Sequence, residues 1–185
     1  AKQPAPSENR PVVVGAGCAG LFCALTLAQA GLNPLLIERG DDATRRTAAV
    51  EHHNQTGQLD LESNIQFGLG GAGTFSDGKL NTGTKSAAHR FILEPFVKAG
   101  AQKNILWDAK PHVGSDILPA VVTNIVTMIE EAGGTVLFRT KLTSLARPSE
   151  GSLSAVQVDK TNLDGSTQTE TIQTRTVILA TGHSS

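Results

Sequence analysis

The amino-acid sequence predicts an α/β domain: a parallel sheet covered by helices and joined to an antiparallel β-meander. Three observations predict it. Val12-Val13-Val14 runs straight into a glycine turn and a helical segment, residues 141–173 alternate with a period of two, and Thr176-Val177-Ile178-Leu179-Ala180 forms a last unbroken apolar run. Unbroken β-branched runs suit strands buried on both faces, whereas alternation suits antiparallel strands with one wet face.

The elements follow in order. Residues 1–10 are polar and contain proline, without the apolar stretch of a signal peptide, and read as a flexible lead-in. Residues 11–185 then form one domain. Val12-Val13-Val14 is the first strand, and a helix is expected over about 19–30, with Gly20, Ala24, Leu27 and Ala28 on a face small enough to pack on a sheet. Gly31 caps that helix, and Leu35-Leu36-Ile37 is a second buried strand. Strand, helix and strand make a βαβ unit with the usual right-handed crossover.

Residues 40–112 are rich in Gly, Asn, Ser and Thr and read as an irregular insertion, broken by a short helix over 92–98. A long irregular stretch in a compact domain is often functional. A clear helix is expected to begin at Ser115-Asp116 and end at Gly133-Gly134, with a parallel strand over 135–139. Three antiparallel strands are expected over 141–146, 153–159 and 167–173, with Asp164-Gly165 turning between the last two. Ending just after a core strand, the chain is expected to be part of something longer, with its substrate domain absent.

Composition narrows the classes. Hydrophobic residues make up 39% and charged residues 18%, which fits a folded domain. A formal net charge of -1 gives no electrostatic reason to expect nucleic acid or an anionic membrane as partner. No apolar run reaches the ~18 residues needed to span a bilayer. Cys18 and Cys23 point in different directions on one helix, and unbridged thiols lead us to expect a cytoplasmic protein.

The glycine turn carries the chemistry. Gly15-Ala16-Gly17-Cys18-Ala19-Gly20 has G-x-G-x-x-G spacing, follows a strand and opens a helix. Gly15 permits the tight turn, Gly17 lets backbone approach a pyrophosphate at the positive helix end, and Gly20 lets helix and strand pack. Glu38 ends the second strand 23 positions after Gly15. A carboxylate there accepts ribose hydroxyls and repels a 2′-phosphate. This is the fingerprint of a Rossmann-like FAD/NAD(P)-binding domain. A plain NAD dehydrogenase continues with further βαβ units. One βαβ unit, an insertion, a meander and a closing Ala180-Thr181-Gly182 instead resemble the glutathione-reductase-like class of FAD proteins.

The stretch from Ser63-Asn64-Ile65-Gln66-Phe67-Gly68 through Leu69-Gly70-Gly71-Ala72-Gly73 to Thr74-Phe75-Ser76-Asp77-Gly78-Lys79-Leu80 narrows the likeness further. Together with Asp108-Ala109-Lys110-Pro111-His112 and Ala180-Thr181-Gly182-His183-Ser184, it resembles a family of bacterial-type, mostly uncharacterised FAD-dependent dehydrogenases. The likeness implies FAD as cofactor and a second half that supplies the substrate domain. It also implies that this piece alone is inactive. The sequence departs from the family at Cys18, where proline is commoner, at Leu69, where an acid is expected, and at His52-His53, where an aromatic pair is expected.

The residues expected to bind FAD are Gly15, Ala16, Gly17, Cys18, Ala19, Gly20, Glu38, Arg39, Gly70, Gly71, Ala72, Gly73, Thr74, Ser76, Asp77, Lys79, Leu142, Thr181 and Gly182. The glycine-rich loop at 70–73 offers backbone N–H groups with little side chain, suited to an anion or a flat ring. Lys79 either stabilises charge on a reduced flavin or is simply solvated. Cys18 sits at a helix N-terminus, which can lower a thiol pKa, or merely packs beside the turn. Arg45-Arg46 either reach phosphate or form a solvated pair, and His183 is a candidate for approaching flavin or substrate. His52-His53 reads as loop polarity, since further metal ligands at a suitable spacing are lacking. No C-x-x-C occurs, so a disulfide-reductase mechanism has no support.

The expected function is the FAD-binding part of a flavin-dependent oxidoreductase, acting by hydride transfer on an unknown small molecule, with NAD(P)H as a candidate electron donor. Two alternatives stand beside it: a nucleotide-binding module without turnover, and an NAD-dependent dehydrogenase.

Overall fold

The computed structural model describes residues 10–80, 86, 88–147, 151 and 153–182. Strand β1 (Val12–Val14) leads into helix α1 (Cys18–Gln29) and strand β2 (Leu35–Ile37). Helices α2 (Ala43–Thr56), α3 (His89–Lys98) and α4 (Leu118–Glu131) follow, then β3 (Thr135–Leu137). The chain continues through β4 (Thr140–Ala146), β5 (Ala155–Thr161) and β6 (Thr167–Gln173) to β7 (Val177–Leu179).

Two sheets form. Strands β3-β2-β1-β7 pair in parallel in that order, with Val12 opposite both Leu35 and Val177. Strands β4-β5-β6 form the antiparallel meander, in which the register shifts between Leu142 and Ser144. The alternation of side chains along β1 and β2 then divides the interior. Val13 and Leu36 face the helices, packing with Leu21, Leu25, Val122 and Ile125, while Val12, Val14, Leu35 and Ile37 meet Val156 and Val158 of the meander. Each such side chain contributes about 1.5–3 kcal/mol by leaving water, which is why both faces of so short a sheet are apolar.

The structure corrects the reading of the insertion. Residues 43–56 form α2, a four-turn helix that the sequence pattern did not suggest. Its buried face is only Ala43, Arg46 and Val50, so the apolar stripe is too thin to register as a period. The local signals were present: the Asp42 side chain accepts from the Arg45 N–H as N-cap, and Gly57 at φ 75° ends the helix. His52 and His53 therefore lie on a helix and not in a loop. Helix α3 begins three residues before the expected 92, and α4 begins at Leu118, later than Ser115-Asp116, because 115–117 form a turn.

A corner of the fold joins the two sheets. Arg139, at φ 53°, pairs with Asp41 at 3.2 Å and donates to the carbonyls of Thr161 and Asn162. This ties the meander to the loop that follows β2.

Candidate dinucleotide site

The parallel strands β1, β2 and β7 end side by side, and their carboxyl ends deliver Gly15, Glu38 and Ala180 to one place. From β1 the chain turns to β2 on one side, while β7 pairs on the other. Such a reversal of strand order leaves a crevice at the carboxyl ends, where open α/β sheets bind ligands. A cleft of about 350 Å³ lies there, lined by Gly15, Gly17, Cys18, Ala19, Glu38, Gln66, Phe67, Gly68, Gly71, Ala180, Thr181 and Gly182.

The three glycines of the turn have separate tasks. A Cβ on Gly15, at φ 98°, would stand 2.6 Å from the Ala180 carbonyl oxygen. A Cβ on Gly20 would be driven into the Gly15 carbonyl oxygen. These two positions are closed by the protein's own backbone. Gly17 is the opposite case, because nothing lies within 4 Å of the Cβ it lacks, and it lines the cleft. The empty volume at Gly17 is a cradle that a side chain would fill, at the N-terminus of α1.

Glu38 is buried at 5% exposure, and its carboxylate is held from both ends. Oε2 accepts from the Ala16 N–H at 2.7 Å and Oε1 from the Gly40 N–H at 2.8 Å. Each oxygen keeps a further lone pair, so the carboxylate is pre-aimed yet still able to accept hydroxyls. Two backbone donors also explain how a carboxylate is tolerated at this depth.

The second wall of the cleft is the loop at 63–75. It is organised by Arg46, whose side chain is fully buried. Nε donates to the Asn64 carbonyl at 2.9 Å, Nη1 to Leu69 at 2.6 Å, Nη2 to Ile65 at 3.2 Å, and both Nη atoms to Gly71 at 3.2 Å. The guanidinium also lies 4.8 Å from the centre of the Phe75 ring. Burial lowers its pKa to about 10, with Glu38 acting in the opposite sense, so it remains a cation at neutral pH. Gly70 donates its N–H to the Ala16 carbonyl at 2.8 Å, which joins this loop to the glycine turn.

Eight of the residues expected from sequence line the cleft: Gly15, Gly17, Cys18, Ala19, Glu38, Gly71, Thr181 and Gly182. Ala16 and Gly20 shape it from behind. Gly70 continues the second wall, followed by a short 3-10 turn over Ala72–Thr74, where the buried Thr74 hydroxyl donates to the Leu69 carbonyl. Arg39 is half-exposed and pairs with Glu62. Asp77 and Lys79 form an exposed ion pair with each other, and Ser76 is exposed beside them. That pairing lowers the Asp77 pKa and raises that of Lys79. Leu142 packs with the small core between the sheet and the meander, apart from the cleft-lining residues. Cys18 opens toward the cleft, and the protein packed around its thiol raises the pKa by desolvation, which favours the alternative of packing beside the turn over an activated thiol. His183 lies outside the described residues.

Arg46 is the clearest correction. Neither solvation nor direct contact with phosphate describes it, because its donors are spent on carbonyls of its own chain. The alternative of a solvated pair holds only for Arg45, which is half-exposed and pairs with Asp42. Gln66, Phe67, Gly68 and Ala180 line the cleft and were missed. For Gln66, Phe67 and Gly68 the signal is the unusual stretch 63–80, whose expected site residues begin only at Gly70, and for Ala180 it is the closing Ala180-Thr181-Gly182.

Fold and cleft together define a dinucleotide-binding domain. Residues 11–88 match the family described as FAD dependent oxidoreductase. The chain is 46% identical over 178 residues to an uncharacterized protein of Clostridium beijerinckii, covering 96% of this chain but 32% of that protein. It therefore spans about a third of that relative's length. Among solved structures, it is similar to Thermovibrio ammonificans THI4 (TM-score 0.57, 17% identity, 95% of this chain and 58% of that one). It is also similar to a 3-ketosteroid-Δ4-(5α)-dehydrogenase of Rhodococcus jostii (TM-score 0.56, 14% identity, 94% and 45%). At those identities the structures speak for the fold alone. The family match over residues 11–88 is thus to FAD-dependent oxidoreductases, and the solved structures share this chain's fold. Among the described residues, no helix is long and apolar enough to cross a membrane.

Proposed function

We propose that this module holds the ADP part of FAD across the carboxyl ends of β1, β2 and β7, as the cofactor-binding part of an enzyme that oxidises or reduces a small molecule. One observation carries the reading. Backbone fills the space at Gly15 and Gly20, while the space at Gly17 stands open beside a carboxylate already aimed by two N–H donors. In this reading Gly17, Cys18 and Ala19 meet the diphosphate with their N–H groups, and Glu38 accepts the ribose hydroxyls. Gly71, Thr181 and Gly182 bring backbone to the remainder of the cofactor. Gly70, Ala72, Gly73, Thr74, Ser76, Asp77 and Lys79 extend that wall.

The bound isoalloxazine would supply hydride transfer, and the protein supplies orientation and exclusion of water. The substrate and the electron donor, for which NAD(P)H is a candidate, belong to the whole protein. The direct test is flavin content. Purified protein is reconstituted with FAD, and flavin absorbance is measured per chain, with NAD as a competitor. Stoichiometric flavin that NAD does not displace supports the reading. Preferential binding of NAD refutes it.

A further inference from the structure

Arg46 is a full positive charge with no exposure to water. Among the described residues no carboxylate pairs with it directly, and all its hydrogen bonds go to carbonyl oxygens of residues 64, 65, 69 and 71. A buried cation hydrogen-bonded only to neutral carbonyls is costly; the buried Glu38, whose field it feels without contact, offsets part of that cost, and a ligand anion beyond the wall would offset more.

Its position says where that anion sits. Gly68 and Gly71 line the cleft. A Cβ on Gly68 would stand 2.9 Å from the Arg46 Nε, so the guanidinium lies immediately behind that wall. The peptide plane adds a second consequence. With the Gly71 carbonyl drawn onto Arg46, the N–H of the Gly71–Ala72 peptide turns to the opposite side. The wall thus turns carbonyl oxygens, which would repel a phosphate, toward the guanidinium.

We infer that Arg46 is the buried cation of the dinucleotide site, a positioning residue that shapes the 64–71 wall and stabilises the cofactor's diphosphate through it without touching it. The inference rests on the FAD reading above. Glu38, at the end of β2, is the ionisable group whose field Arg46 feels, and Asp42 caps the helix that carries it.

The probes are ADP and adenosine, which differ only in the diphosphate. Their affinities are measured by competition against bound FAD. Wild type is expected to prefer ADP. In Arg46→Gln, which keeps donors but loses the charge, that preference should fall about tenfold or more while adenosine binding changes little. A purely structural role would weaken both probes alike, and that result overturns the inference.

Arg46→Lys carries the test independently if the glutamine variant does not fold. A buried ammonium deprotonates more readily than an exposed one, so the ADP preference should decline between about pH 7.5 and 9.5 in this variant but not in wild type. A preference independent of pH in Arg46→Lys, equal to that of wild type, also overturns the inference. Failure of wild type to bind either FAD or ADP identifies a different fault, in the FAD reading itself.

Discussion

The two walls of the cleft are built on opposite principles. The glycine turn at 15–20 is held by local backbone geometry: Gly15 and Gly20 occupy positions where backbone leaves no room for a side chain, between the buried strand β1 and helix α1. The facing loop at 63–75 has no sheet ladder and only one short 3-10 turn. A single arginine arriving from α2 gathers its carbonyls, with help from Asn64, whose Oδ1 accepts from the N–H groups of Gln66 and Phe67. One wall is specified by what the chain lacks, the other by a side chain supplied from elsewhere. The first should respond to any added atom, the second to loss of one remote group.

Substitutions can break that contrast. The largest effect is expected at Gly20. Gly20→Ala forces a methyl into the Gly15 carbonyl, and overpacking of backbone that cannot yield should cost about 3 kcal/mol or more. Thermal denaturation would read it, and an unchanged melting temperature would mean that the turn is not packed as described.

Gly17→Val separates binding from folding. The new side chain enters open space, so the fold should survive while FAD binding is lost. Circular dichroism alongside flavin per chain distinguishes the two, and full flavin in this variant would misplace the diphosphate.

Glu38→Ala is expected to be intermediate. Loss of charge-assisted hydrogen bonds to the ribose should weaken FAD by about 1.5–3 kcal/mol. It also leaves the Ala16 and Gly40 N–H groups without their acceptor, so the apo-protein should melt earlier as well. Fluorescence titration gives the affinity. An affinity equal to wild type in a folded variant would argue against the ribose assignment.

The smallest effect concerns the helix that delivers Arg46. Asp42→Ala removes the α2 N-cap and should cost about 1 kcal/mol of stability, measured by chemical denaturation. If α2 matters to the cleft only through Arg46, FAD affinity should hardly change. A large affinity loss would mean that the second wall depends on the whole helix and not on one side chain.

How much of this was legible in advance follows the same division. The βαβ unit, the meander and the closing strand could be read because their signals are periodic or bound to glycine, and glycine's permissiveness acts within its own turn. Glu38 was legible for a similar reason, since strand length and motif spacing place it. Helix α2 was not, because three buried residues in fourteen make almost no stripe, although Asp42 and Gly57 marked both of its ends. Leu142 was expected in the site, yet the meander's alternation directs it to the core beneath the sheet.

The sequence by itself determined the first βαβ unit, the glycine turn and the acid beside it, because each depends on neighbours within that unit. Only the tertiary structure decided that Arg46 is buried, that its charge lies behind Gly68 and Gly71, and that Gln66 and Phe67 join the cleft. The physical reason is the range of the interaction. A glycine acts on atoms a few bonds away, whereas the carbonyls that Arg46 gathers lie 18 to 25 residues along the chain, and no local pattern records which of two adjacent arginines turns inward to meet them.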